Sequence, residues 1–143
     1  MFLLDTNVVS ELRKAGTTKV NANVVAWAKS VPVADLYLCA ITVLELELGV
    51  LQLQRRDPMQ ARPLRRWLDD QVLPSFRGRV LPVETAGALR CAALHVPDRR
   101  SDRDALIAAT ALVHGMTVVT RNIGDFTATG VPLVDPWEGV AFG

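Results

Sequence analysis

The chain has 143 residues and a formal net charge of +1, with half of its residues apolar and 22% charged. These numbers fit one domain (residues 1–143) with a sizeable core, and they exclude a global basic field for nucleic acid, so any such contact must come from local patches. No stretch approaches the roughly 18 uncharged apolar residues of a membrane span, and the first five residues lack the basic start of a signal peptide. Cys39 and Cys91 each lie in an apolar run and read as buried free thiols of a reducing compartment. A soluble cytoplasmic protein is expected.

In chain order, Phe2, Leu3 and Leu4 form a short buried strand that ends in Asp5. A helix is expected from about Asn7, and another over residues 24–30, with Pro32 ending it. Residues 36–41 read as the second strand. Thr42 is then expected to cap a helix to about Gln54, with Leu44, Leu48 and Leu51 on one side and Val43, Leu46, Val50 and Leu53 on another. One of those apolar faces covers the sheet and the other needs a second partner. Asp57 and Pro58 signal a new helix, amphipathic around Leu64, Trp67 and Leu68, which Pro63 bends or restarts.

Residues 79–83 read as the third strand, 84–94 as a helix and 97–100 as a loop. Ser101 is expected to cap a helix over 102–114, closed by Gly115. Residues 116–120 and 132–135 complete the strands. This alternation of short strands and helices predicts an α/β domain with a parallel sheet between helical layers.

Four carboxylates stand where strands end or helices start: Asp5, Glu45, Asp104 and Asp125. An open α/β sheet forms its ligand crevice there. Each also has a local explanation. Glu45 follows Thr42 by three residues and Asp104 follows Ser101 by three, the spacing of a capping box, while Asp125 lies in a turn-like stretch. Taken together they predict a magnesium or manganese site, because four converging acids repel one another unless a divalent cation neutralises them. Helical geometry separates the candidates from their neighbours. Residues two apart point about 200° from each other, so Glu47 turns away from the crevice if Glu45 faces it, and Asp102 is weaker than Asp104. Thr6, Asn7, Thr120 and Asn122 are the neutral groups placed to orient the acids or waters.

At these residues the chain resembles PIN-domain proteins, specifically the VapC or FitB-like toxins of bacterial type II toxin–antitoxin modules. The matching pieces run in order: Leu4 to Leu12 around Asp5-Thr6-Asn7, Ile41 to Leu46 with Gly49, Asp104 to Ala111, and Val118 to Asn122 with Asp125 and Phe126. The resemblance implies a three-layer α/β/α fold with a five-stranded parallel sheet in order 3-2-1-4-5. It implies a metal-dependent endoribonuclease using Mg2+ or Mn2+, held by a cognate antitoxin of the VapB or FitA type, and usually a homodimer. It puts the metal-binding acids on Asp5, Glu45, Asp104 and Asp125, the assisting hydroxyl on Thr120 and the supporting amide on Asn7.

Arg99, Arg100, Arg103 and Arg121 flank these acids in sequence and are the candidate RNA phosphate contacts. The arginines between 55 and 79 read as a solvated helix face, Trp27, Trp67 and Trp137 as core or interface packing residues in preference to base-stacking ones, and His95 and His114 as helix-end residues. Two other functions compete. An aspartyl-phosphate phosphatase normally needs a second Asp two residues after the first, where this chain has Asn7. A catalytically weak binding module, acting mainly through its antitoxin complex, is the alternative that the two-sided apolar helix after residue 42 suggests.

Overall fold

In the computed structural model, which describes residues 1–139, a parallel sheet of strands two to four residues long is covered by helices on both faces. The strands are β1 (Phe2–Leu4), β2 (Leu36–Cys39), β3 (Val80–Leu81), β4 (Thr117–Val119) and β5 (Leu133–Val134). They lie in the order β3-β2-β1-β4-β5, all neighbours parallel. The main helices are α1 (Thr6–Leu12), α2 (Ala22–Lys29), α3 (Ala40–Arg56), α4 (Pro58–Trp67), α5 (Leu73–Ser75), α6 (Thr85–Leu94), α7 (Asp102–His114) and α8 (Ile123–Phe126). Short 3-10 turns follow at Thr127–Thr129 and Pro136–Glu138. The α/β class and helical layers expected from the alternation of elements, and the strand order implied by the family resemblance, are those found.

Side-chain alternation explains how three short central strands build two cores. Leu4, Leu38 and Val119 face one layer, where they meet Val8, Val9, Trp27, Leu46, Val50 and Leu68. Leu3, Cys39 and Val118 face the other, against Ile107, Ala108, Ala111 and Phe126. Residues one apart on a strand point to opposite faces, so each of these strands must be apolar at successive positions. Leu3, Leu4, Leu38, Val118 and Val119 are all 0% exposed.

Cys39 and Cys91 are buried free thiols. Trp27 packs into the first core edge-on to Phe2, with ring centroids 5.3 Å apart. The helix ends follow local chemistry. Asp57 caps α4 through Gln60 N, and Gly115 closes α7 at φ 65°, a left-handed conformation that glycine enters without a Cβ penalty.

Four local expectations are corrected. Thr42 does not cap α3: the helix already begins at Ala40 after an extended Cys39, and the Thr42 hydroxyl is buried without a hydrogen-bond partner. Ser101 is the residue before α7 but makes no side-chain cap bond, so neither expected capping box forms. Pro63 does not restart its helix, because α4 runs unbroken from Pro58 to Trp67 and only then widens into a π-helical stretch at Leu68–Val72. The segment around Asp125 is a short helix, α8, rather than a simple turn. No helix among the described residues is long and apolar enough to cross a membrane.

A candidate carboxylate centre at the switch point of the sheet

From β1 the chain crosses to β2 and β3 on one side, then jumps to β4 on the other. The carboxyl ends of β1 and β4 therefore sit beside each other where the winding reverses, the crevice in which open α/β sheets bind ligands. Asp5 follows β1 and Thr120 follows β4. The Asp5 amide donates to Val119 O at 2.9 Å, which locks the two ends together.

Both residues are nearly sealed from solvent, Asp5 at 6% exposure and Thr120 at 0%. One Asp5 oxygen, Oδ1, accepts from the Thr6 amide at 2.8 Å, at the start of α1. The other, Oδ2, accepts from the Thr120 hydroxyl at 2.8 Å and from Asn7 Nδ2 at 3.2 Å. Thr120 Oγ1 in turn accepts from the Asn122 amide at 3.0 Å and from Asn7 Nδ2 at 3.3 Å. The Thr120 proton thus points at Asp5, and every hydrogen-bonding position of its oxygen is filled. In this arrangement Thr120 and Asn7 fix the orientation of the Asp5 carboxylate.

Glu45 reaches the crevice from the second turn of α3. Its Oε1 accepts from the Thr6 hydroxyl at 2.9 Å, and its Oε2 lies 3.8 Å from the Arg103 guanidinium. Glu47, two residues on, points to the other side and pairs with Arg65 of α4 at 2.8 Å. Asp104 enters from the first turn of α7, and Asp125 from α8. Asp102 stays outside, near His95 at 3.5 Å and Arg99 at 3.6 Å.

The electrostatics tie the four acids together. Burial pushes the Asp104 carboxyl up to about 6, and the charges of Asp5, Asp125 and Glu45 push it in the same direction. Burial also raises Asp5, against the lowering effect of its bonds from Thr120, Thr6 and Asn7. Yet no three Asp, Glu, His or Cys side chains among the described residues close into a ready chelate. The donors are all hard carboxylate oxygens, which suit a cation that keeps several waters and takes only one or two carboxylates directly. The residues present fit a hydrated, hard divalent cation and do not form an all-protein cage.

The profile of the PIN domain matches residues 2–130. The chain belongs to the PIN-domain family. It is 39% identical over 146 residues to a protein named VapC ribonuclease Y4jK from Sinorhizobium fredii, covering 96% of this chain and 99% of that one. It is also 39% identical to Toxin FitB of Neisseria gonorrhoeae over 143 residues, again covering 96% and 99%. The fold superposes on the structure of FitAB bound to an IR36 DNA fragment with a TM-score of 0.87, at 37% identity and full coverage of both chains.

The four arginines expected near this PIN-domain centre have different surroundings. Arg103 lies beside Glu45, and Arg121 lines a cleft to which Asp125 also contributes. Arg99 is an exposed partner of Asp102. The Arg100 side chain bonds to Leu94 O at 2.8 Å and Ala128 O at 3.5 Å, which makes it a brace between loops. Sequence reading missed one feature at the site. The Arg121 guanidinium lies over the Trp137 ring, 5.3 Å from its centroid, and nothing in the spacing of 16 residues signals that contact.

Proposed function

We propose that this chain is the endoribonuclease toxin of a toxin–antitoxin pair, hydrolysing RNA phosphodiester bonds at the carboxylate centre with Mg2+ or Mn2+. The observation that carries this reading is the convergence of Asp5, Glu45, Asp104 and Asp125 from four separate elements on one crevice at the switch point of the sheet, close enough for the charges of the other three to act on Asp104. Structural capping does not account for the cluster, because the capping boxes that would explain Glu45 and Asp104 are not made. The relatives named as a ribonuclease and as a toxin support the same reading.

Asp5, Glu45, Asp104 and Asp125 would hold the cation, which would supply a nucleophilic water at neutral pH and stabilise charge on the phosphate. The rest is the work of the chain itself. Thr120 and Asn7 hold Asp5 in one rotamer, and Thr6 holds Glu45. Arg103 stands at the rim as a phosphate-binding cation, with Arg99 further out, so that a polyanion is drawn to an otherwise acidic centre, while Arg121 lines the neighbouring cleft as a contact to the rest of the RNA. Arg100, being bonded to backbone carbonyls, shapes the rim instead.

The partner we propose is an antitoxin of the VapB or FitA type. An open groove of about 170 Å³, lined in part by Leu12, Trp67, Val72 and Phe76, offers it an apolar track. On the outside of α3, Leu44 and Leu51 are about half exposed, at 49% and 50%. That face supports a homodimer, and it also favours the second reading, a module that acts chiefly through its complexes.

The test is cleavage of RNA by the purified chain freed of any antitoxin. Cutting should require Mg2+ or Mn2+, stop on chelation, and disappear when Asp5→Asn and Asp104→Asn are combined. Undiminished cutting by that double variant would overturn the assignment of the centre. A folded wild-type chain that cuts no RNA in the presence of metal would favour the binding-module reading.

A further inference from the structure

Next to the carboxylate centre opens a cleft of about 550 Å³ that shares Asp125 with it and extends to Asp135 and Glu138, which the centre does not use. Its walls include Arg121, Asn122, Gly124, Asp125, Asp135 and Glu138. Arg121 is part of a built platform: its guanidinium lies over the Trp137 ring at 5.3 Å. The Trp137 turn is held from two sides, by the Asp135 carboxylate accepting from the Trp137 amide at 2.9 Å and by Asn23 donating to Trp137 O at 2.8 Å. The platform is also tied to the centre, because the Arg121 amide donates at 3.2 Å to Asn7, whose side-chain amide bonds Asp5 and Thr120.

We propose that this cleft is a guanine-reading subsite, which receives a base next to the phosphate being cut. The proposal rests on the ribonuclease reading above and deepens it. An unstacked RNA base is commonly held against an aromatic ring or an arginine plane and read on its hydrogen-bonding edge. Here the outer face of the Arg121 guanidinium, backed by Trp137, supplies the plane. The remaining wall carries carboxylates, so it repels phosphate and accepts N–H donors.

Among the bases, guanine alone presents two adjacent donor groups, N1–H and the N2 amine, that match both oxygens of one carboxylate. Adenine and cytosine set an acceptor nitrogen beside their amine, and uracil flanks its single N–H with two carbonyls. Glu138 is the carboxylate placed to read that edge. It is exposed on the cleft wall, whereas Asp135 already accepts from Trp137 and Asp125 belongs to the centre. Because Asp125 lines both spaces, a base in the cleft places its sugar–phosphate toward the carboxylates.

The experiment maps both ends of the products when wild type and Glu138→Gln cut an RNA of randomised sequence. Wild type should place guanosine at one fixed position beside the cut. Replacing that guanosine by inosine, which keeps N1–H but lacks the N2 amine, should lower kcat/KM about tenfold, the loss expected when one hydrogen bond to a charged carboxylate is removed. Glu138→Gln should lose most of the preference while still cutting RNA, and its unchanged melting temperature would exclude a folding defect.

Cutting with no preferred base, or a preference that survives Glu138→Gln, overturns the subsite and leaves the nuclease assignment intact. A second arm needs no cleavage: calorimetry compares binding of a trinucleotide with central guanosine to its inosine counterpart. Equal affinities there overturn the subsite. A guanosine preference in a chain that cuts nothing would support the subsite and sink the nuclease reading.

Discussion

At the level of single residues, Asp104 holds the largest unresolved electrostatic tension in the site. Its carboxyl stands at about 6 in the folded chain against an ordinary 3.8. Between those values the folded state binds more protons than the unfolded one, so without cation stability falls as pH rises through the window and stays low above it. Asp104→Asn removes that tension. In chelator it should raise stability at pH 7.5 by about 1–2 kcal/mol after allowance for solvent screening, and the melting temperature by about 3–6 °C, while abolishing cleavage. A calorimetric scan in EDTA checks the first part, and equal melting temperatures would contradict it. The same shift predicts that Mn2+ binding at pH 6 releases protons, seen as a binding enthalpy that varies with the ionisation heat of the buffer. Thr120 makes a different prediction. Since its proton fixes Asp5, Thr120→Val should lose about 10- to 100-fold in activity, whereas Thr120→Ser should keep most of it.

At the level of elements, the helices that present the acids are placed by small residues as much as by large ones. Helices α6 and α7 meet through Cys91, Ala105 and Ala109, with Ala105 and Ala109 0% exposed. There is no room at such a contact for a longer side chain without moving a helix. Ala109→Leu should therefore destabilise the chain by about 1–3 kcal/mol, measurable by urea unfolding. The π-helical stretch at Leu68–Val72 buries Leu68 and Val72 against the sheet, a change of helical pitch that residue-by-residue propensity does not announce. The capping boxes failed for a related reason. Thr42 and Ser101 have the right spacing to their acids, but backbone geometry starts α3 two residues before Thr42, and the Ser101 hydroxyl makes no cap bond.

At the level of the whole molecule, the sheet reversal gathers four chain segments, and the outer layer leaves apolar surface uncovered. Leu44 and Leu51 are half exposed on α3, beyond what the two cores use. Without a partner the chain should self-associate through this face. Sedimentation of a Leu44→Glu, Leu51→Glu double variant should show a shift toward monomer with the melting temperature little changed, and an unaltered association state would place the interface elsewhere.

Much of this was legible in the sequence because it is short-range physics. Apolar doublets such as Leu3-Leu4 and Val118-Val119 require strands buried on both faces, Gly115 requires a helix end, and alternating elements require a parallel sheet. The ordered pieces around Asp5, Glu45, Asp104 and Asp125 carried the family resemblance, and the separation of Glu45 from Glu47 follows from helical pitch alone. What only the tertiary structure decided is which distant groups meet. That Thr120 donates to Asp5 across 115 residues, that Thr6 holds Glu45, and that Arg121 lies over Trp137 depend on strand order and on where each helix begins. Spacing along the chain determines local periodicity, but these contacts depend on how β1 and β4 are brought side by side.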